Sequence, residues 1–251
     1  MPTYNDYGIV LSSYNLAESD KILNIYTKDN GLVRAIAKGV KKSKSRFSGK
    51  VEQLSCCYFQ FARGKNLDII SDCSQVNGFA LLKSDLIRLS YGILFIEVVS
   101  SFAHEMESES VHVYDLLYSG LEELQKVNNP VLFSIRFLIN FLSIHGLSPQ
   151  LETCVSCSKE VQRLGNTKIN EKPDVYPYSS ALGGLLCKKC SDFIDHKLVT
   201  PEILLMLKQQ TYMFVEQGSD LNSRIALDIL REHLDLRAKN KIKTFDLVFS
   251  L

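Results

Sequence analysis

Cys154-Val155-Ser156-Cys157, followed after 29 intervening residues by Cys187-Lys188-Lys189-Cys190, is the pattern that organises this chain of 251 residues. Two Cys-x-x-Cys knuckles together offer four thiolates, the donor set that holds Zn²⁺ tetrahedrally at about 2.3 Å per sulfur. The spacer is longer than that of an ordinary zinc ribbon, so a hairpin or loop is expected between the knuckles. Gly183 and Gly184 stand just before the second knuckle, where a tight turn would bring backbone close to the ion. Two disulfides would need an oxidising compartment, and a thioredoxin-like redox pair would need one such motif beside a βαβ unit, not two in tandem. The reading is a structural zinc site on Cys154, Cys157, Cys187 and Cys190. A closed four-thiolate shell leaves no position for water, so such a site holds a fold together and does not catalyse.

Outward from the cysteines, the pattern on both sides is helical. Leu82, Leu86, Leu89, Ile93, Ile96 and Val99 recur at three- and four-residue steps. A second helix is expected over residues 110–126, with Val113, Leu116, Leu117, Leu121 and Leu124 on one face. Asn129-Pro130 reads as an N-cap followed by proline in the first turn of a third helix, which stops near Gly146. Its apolar residues, from Leu132 through Leu142, cover most of its circumference, which marks the central buried helix. Pro173 and Pro177 make the cysteine region irregular, and Thr200-Pro201 opens a further helix over 201–217, with a last one over 222–238. The tail, residues 239–251, mixes Lys239, Lys241 and Lys243 with Phe245, Leu247, Val248 and Phe249, and fits either a docked strand or a helical end.

The front of the chain has a different period. Short β-rich runs at 8–12, 21–27, 32–38, 54–62 and 67–76 are separated by turn signals, among them Asn30-Gly31 and Arg63-Gly64-Lys65-Asn66. Five short strands in about seventy residues suggest a small closed barrel, because closure removes exposed sheet edges. The period switches from two to 3.6 near residues 77–81, which places the domain boundary there, with domains over 1–79 and 80–251 and the cysteine insertion at about 150–195.

Between the third and fourth runs lie Lys38, Lys41, Lys42, Lys44, Arg46 and Lys50, with Gly39, Ser43, Ser45, Ser48 and Gly49 among them, and no acid from Arg34 to Lys50. Cations on a flexible Gly/Ser loop match a phosphate backbone, which needs several charges but no fixed geometry. Arg34 and Lys38 are an even number of residues apart and share a strand face. Phe47, inside the run, would stack on a base if exposed or anchor the loop if packed inward. Arg63 and Lys65 would extend the patch or keep a hairpin tip solvated. The expected DNA-contacting set is therefore Arg34, Lys38, Lys41, Lys42, Lys44, Arg46, Phe47, Lys50, Arg63 and Lys65. Against this stands the plain alternative that a charge run is a solvated face.

The charge distribution agrees with a split chain. Residues 1–80 carry 11 Lys/Arg against 7 Asp/Glu, and the remainder 18 against 21. Cys56, Cys57 and Cys73 lie in apolar strand-like runs and read as buried free thiols, which with a thiolate site suits a reducing cytoplasm. The N-terminal residues show no basic segment followed by an apolar one, so no signal peptide is expected. The greasiest run, Ile93-Leu94-Phe95-Ile96, is broken by Glu97 and too short for a membrane. No phosphate-binding Gly-rich loop, Gly-x-Ser-x-Gly or His-Glu-x-x-His is present. The histidines (His104, His112, His145, His196 and His233) read as surface or capping residues, and Glu105, Glu107 and Glu109 as a solvated acidic junction. No catalytic residue is assigned.

The order of basic barrel, helical domain and four-cysteine insertion resembles the RecO family of bacterial recombination mediators. The resemblance is carried by Tyr7-Gly8-Ile9-Val10-Leu11, Glu18-Ser19-Asp20-Lys21-Ile22-Leu23, Thr27-Lys28-Asp29-Asn30-Gly31-Leu32 and Ala37-Lys38-Gly39-Val40-Lys41. Downstream it continues in Leu147-Ser148-Pro149-Gln150-Leu151, the first knuckle, and Gly183-Gly184-Leu185-Leu186-Cys187. It implies an α+β multi-domain chain: a five-stranded oligonucleotide-binding-fold (OB-fold) barrel, then an all-α domain with a zinc insertion. It implies a non-enzymatic protein that binds single- and double-stranded DNA and anneals complementary strands. The implied partners are RecR and single-strand binding protein, with RecA loaded indirectly, and no membrane. The pocket for the tail of single-strand binding protein would lie in the helical domain, at residues the sequence does not define. A zinc-stabilised interaction subunit without DNA contact, or an unrecognised nucleic-acid enzyme, are the rival readings.

Overall fold

The computed structural model describes residues 2–47, 49–104, 108–161, 175–208 and 220–251. Ser48, Glu105, Glu107, Pro173 and the expected helical stretch 209–217 lie outside the described residues. The chain divides into two compact units, Met1–Val127 with Lys243–Leu251, and Asn128–Ile242.

The first unit is built on strands β1 (Thr3–Asn15), β2 (Lys21–Thr27), β3 (Gly31–Ala37), β4 (Cys56–Ala62) and β5 (Asp68–Asn77). They close in the order β1-β2-β3-β5-β4. β1 is long enough to serve two neighbours: its second half pairs with β2 and its first half with β4, with a bulge between Val10 and Ser12. Gly8 sits where the partners change, and a Cβ there would lie 2.5 Å from Ile25 Cγ2, so only glycine lets β1 approach the interior. The barrel is sealed by a short parallel seam, Ala35↔Asp68 and Ile36↔Ile69.

Period-two alternation explains the core. On β3, Val33, Ala35 and Ala37 point inward, whereas Arg34 is exposed. With Val10, Leu23, Ile25, Phe59, Phe61 and Ile70 they fill the barrel, and Cys57 and Cys73 are buried beside them. Each large apolar side chain among them contributes about 1.5–3 kcal/mol by leaving water. The hairpin turn expected at Asn30-Gly31 is present as a three-residue loop, Lys28 to Asn30, ending on Gly31 at φ +63°. Buried Asp6 orders this loop by accepting the Asp29 N–H (3.1 Å) and the Asn30 side-chain amide (2.8 Å).

The remaining elements are α1 (Ala80–Lys83), α2 (Leu86–Phe102), α3 (Ser110–Leu124), α4 (Pro130–Ile144), β6 (Tyr176–Ser179), β7 (Gly184–Leu185), α5 (Lys188–Ser191), β8 (Lys197–Val199), α6 (Pro201–Lys208), α7 (Asp220–Asp235) and α8 (Thr244–Ser250). The single helix expected from residue 81 is divided at Asp85, whose carboxylate caps α2 by accepting the Arg88 N–H at 3.0 Å. The tail is helical: Glu97 on α2 accepts the backbone N–H groups of Lys243 and Thr244 and so caps α8. In the second unit, α4 is buried on most sides and packs with α6 and α7. A small sheet, β7-β6-β8, carries the cysteine region. No helix of the described residues is long and apolar enough to cross a membrane.

Candidate nucleic-acid interface and metal centre

The basic residues begin on β3. Arg34 and Lys38 are both exposed, and Gly39 at φ +68° then turns the chain out of the strand. Residues 39–47 and 49–55 run as turns and bends, neither strand nor helix. Their start is tied to the β1–β2 connection: the Gly39 N–H donates to Asp20 Oδ1 at 2.7 Å and the Lys41 N–H to Ser19 O at 3.1 Å. The Gly39 N–H, the Ser19 hydroxyl and the nearby Lys38 and Lys42 hold the Asp20 carboxyl below the usual carboxylate range. Lys41, Lys42, Lys44 and Arg46 stand exposed along the turns, whereas Lys50 is half-buried and its carbonyl accepts the Cys57 thiol.

Phe47 takes the second of its two expected roles, the anchor packed inward, and so leaves the expected DNA-contacting set. It is 2% exposed and belongs to the barrel core with Val51, so no base can stack on it in this arrangement. A ring this apolar closes the barrel end better than it decorates a solvated loop, and the Arg46 guanidinium lies 4.8 Å from its centroid, capping it from outside. Arg63 and Lys65 are exposed on the β4–β5 turn and line one cleft with Arg34. Sequence reasoning had no means of pairing Arg34 with Arg63, because only the β3–β5 seam brings them together.

The four cysteines converge. Their Sγ atoms all lie within 4.8 Å of one another, and Cys157 and Cys187 are 3.7 Å apart. A tetrahedron with metal–sulfur bonds of about 2.3 Å has edges of about 3.8 Å, so the spacing fits one ion. In the first knuckle the Ser158 N–H donates to Cys154 O at 2.8 Å, with Ser158 at φ +59°. The second knuckle is the single-turn α5, whose Cys190 N–H donates to Cys187 O. Burial raises the Cys154 thiol, but N–H groups of Cys187, Cys157 and Ser156 outweigh it and bring the thiol down to about 6. The Cys190 N–H likewise lowers Cys187. The Ser156 hydroxyl lowers Cys190, but neighbouring Cys187, with burial and the other two cysteines, outweighs it and pushes that thiol up to about 12. Cys154 and Cys187 are thus shifted toward the thiolate and Cys190 away from it.

The spacer contributes the β6–β7 hairpin between the knuckles. Gly184 lets β7 pack against the first knuckle and the residues before it: a Cβ there would sit 2.4 Å from Gln150 O and 2.6 Å from Val155 Cγ1. The Leu185 N–H donates to Gln150 O, and the Val155 N–H to Leu185 O, so β7 is stitched alongside the first knuckle. Gly183, at φ +80°, makes the turn that permits this.

His233 is not the surface or capping histidine expected. It is 1% exposed on α7, with Nε2 2.8 Å from Leu147 O and Nδ1 3.4 Å from the Tyr178 hydroxyl. It joins α7, the end of α4 and the small sheet, and no sequence signal announces those partners. Burial, with Arg237 adding repulsion, holds its pKa down to about 4 despite the bond to Leu147.

Comparison with known proteins follows these features along the chain. A family model described as Recombination protein O N terminal matches residues 1–79, and one described as Recombination protein O C terminal matches residues 83–244. A DNA repair protein RecO from Desulforamulus reducens is 30% identical over 251 residues, covering 97% of this chain and 93% of the relative. The chain belongs to the RecO family. DNA repair protein RecO from Rubrobacter xylanophilus is 31% identical over 76% of this chain and 72% of its own. That from Symbiobacterium thermophilum is also 31% identical, over 76% and 73%. The RecO N-terminal match contains the barrel and the whole basic link; the RecO C-terminal match contains the four cysteines and His233.

Proposed function

We propose that this RecO-family chain is a DNA-binding mediator of recombinational DNA repair that performs no bond-making chemistry. The observation that carries the reading is the run of exposed cations, Arg34, Lys38, Lys41, Lys42, Lys44 and Arg46, on a closed five-stranded barrel, with no acid between residues 34 and 50. The antiparallel β1-β2-β3 and β4-β5 pairings with a parallel β3–β5 closure support describing the barrel as an OB-fold, a scaffold suited to oligonucleotides. Each cation that meets a phosphate releases a condensed counterion, so binding of single- and double-stranded DNA would be driven by salt-dependent entropy. Neutralising phosphates on two strands lowers their mutual repulsion and lets complementary bases meet. The helical domain, residues 80–251, would hold RecR and single-strand binding protein, raise local concentrations and so help load RecA.

Zinc is the proposed occupant of the cysteine site, since four thiolates at tetrahedral spacing suit it. Cys154, Cys157, Cys187 and Cys190 would hold it, and it would supply folding free energy only. A cytoplasmic location fits the free thiols Cys56, Cys57 and Cys73.

Mixing two labelled complementary strands tests the reading. Faster pairing with the protein than without it, with strands recovered intact, is expected. No acceleration under low salt, with binding of proteins only, would favour a zinc-stabilised interaction subunit. A cleaved or modified strand would point to an enzyme.

A further inference from the structure

The metal centre is unevenly sheltered. Cys154 is 1% exposed, Cys187 and Cys190 are half-buried, and Cys157 stands exposed. The backbone explains the contrast within the first knuckle. The Ser158 N–H donates to Cys154 O, the Cys154 N–H donates to Lys159 O, and Ser158 takes φ +59°. The chain thus turns tightly about Cys154 and leaves Cys157 on the outside. All seven cysteines lie among the described residues, and Cys157 is the one that is exposed; Cys56, Cys57 and Cys73 are buried. Thiol oxidation follows thiolate character and access, so an oxidant arriving from solvent meets Cys157 first.

A second sulfur is close at hand. Cys187 Sγ lies 3.7 Å from Cys157 Sγ, across the two knuckles. A disulfide has an S–S length of about 2.05 Å, so a short approach joins them once no ion holds them apart. The two knuckles are kept side by side by backbone bonds that owe nothing to a metal. The Val155 N–H donates to Leu185 O and the Leu185 N–H to Gln150 O, both at 2.9 Å. A bond between Cys157 and Cys187 would cross-link the same two stretches of chain that an ion cross-links.

We infer that Cys157 is an oxidative modification site of the metal centre, at which a hydroperoxide joins it to Cys187 and withdraws both sulfurs from the ion. The inference rests on the reading that the four cysteines hold Zn²⁺. A coordinating sulfur is already deprotonated and can act as a nucleophile. The Cys157 thiolate attacks the outer oxygen of the hydroperoxide. The O–O bond breaks, Cys157 becomes a sulfenic acid, and the remaining oxygen leaves as an anion that takes a proton from water. The Cys187 thiolate then attacks the Cys157 sulfur, the S–S bond forms and hydroxide leaves. The two sulfurs together lose two electrons, and the peroxide gains them. Cys154 and Cys190 alone do not fill a tetrahedral shell, so the site gives up its metal. A thiol reductant cleaves the disulfide by exchange and restores four ligands.

The test treats the full, zinc-loaded chain with hydrogen peroxide. A chromogenic chelator reads released zinc, a thiol reagent counts free cysteines, and peptide mapping with a sulfenic-acid trap finds the oxidised sulfurs. About one zinc per chain should be released as two of the seven thiols disappear, with Cys157 trapped first and Cys157–Cys187 the disulfide formed. Reductant with added zinc should restore both thiols and metal. Cys157→His keeps a four-ligand shell of three cysteines and one histidine without the exposed sulfur, and should release zinc more slowly. Equally fast release from a zinc-loaded Cys157→His chain overturns the inference. Should that variant hold no zinc, the wild-type map decides: trapping first at another cysteine, or release with Cys157 unmodified, overturns it. A Cys154–Cys157 disulfide overturns the role of Cys187. Zinc retained under peroxide overturns the inference and leaves the metal site intact. A wild type that takes up no zinc overturns the metal reading itself, and this inference with it.

Discussion

Asp20 Oδ1 accepts the backbone N–H of Gly39 at 2.7 Å, fastening the connection between β1 and β2 to the first residue of the basic link. The bond orders the link through its backbone and engages no lysine side chain itself, although Lys41 Nζ separately donates to Ala17 O at 3.3 Å. Asp20→Ala should therefore speed hydrogen exchange at the Gly39 and Lys41 amides while leaving β5 protected. Asp20→Asn, which keeps an acceptor, should fall between the two. Unchanged exchange in Asp20→Ala would mean the link is ordered by its buried half alone.

That buried half depends on Phe47. Truncating a ring in a filled barrel removes transfer free energy and leaves a cavity, so Phe47→Ala should lower stability by about 3–5 kcal/mol. It should leave the salt dependence of DNA binding as it was, because the ring lies inside the barrel and carries no charge. Denaturant unfolding and a salt titration on the same preparation check both halves. Weakened DNA binding with unchanged stability would contradict the placement.

His233 gives the second unit a pH dependence of definite sign. Its ordinary pKa is about 6.5, and burial holds it down to about 4 in the folded chain. The unfolded chain therefore takes up the proton first, so this stability is complete above about pH 6.5 and is lost as pH falls toward 4. Between pH 7.5 and 5 the loss should be about 2 kcal/mol. His233→Gln should flatten that part of the profile. An equally steep profile in the variant would assign the slope to other groups.

The cysteine site predicts about one bound metal per chain, since four thiolates complete one tetrahedral shell. Cys187→Ser should lose the metal and lower the melting temperature of the second unit, and a strong chelator should do the same to wild type. Metal analysis with calorimetry reads both. A wild type that carries no metal as isolated, and whose melting temperature a chelator does not move, would remove the site from the account.

Local signals carried well where structure is set by neighbours in sequence. The alternation of Val33, Ala35 and Ala37 with Arg34 was readable because a strand has period two, and Asn129-Pro130 because a helix start has its own chemistry. The paired knuckles were readable because metal geometry fixes their spacing. Ser84-Asp85 was present as a cap signal, yet the leucine period ran through it and hid the break between α1 and α2. What was not legible is surroundings that come from distant chain. Phe47 sits among lysines in sequence and among Val33, Phe59 and Phe61 in space. His233 meets Leu147 and Tyr178, and Arg34 shares a cleft with Arg63 only across the barrel seam.

The most direct test of the central claim is the affinity of labelled single-stranded DNA across a salt series, for wild type and for a variant with Lys41, Lys42, Lys44 and Arg46 all changed to Ala. If each of the four cations meets a phosphate, their removal should reduce the slope of log K against log salt by about 3 in magnitude, near 0.7 each. Equal slopes with intact binding would move DNA off the link, and no binding by wild type at low salt would contradict the account altogether.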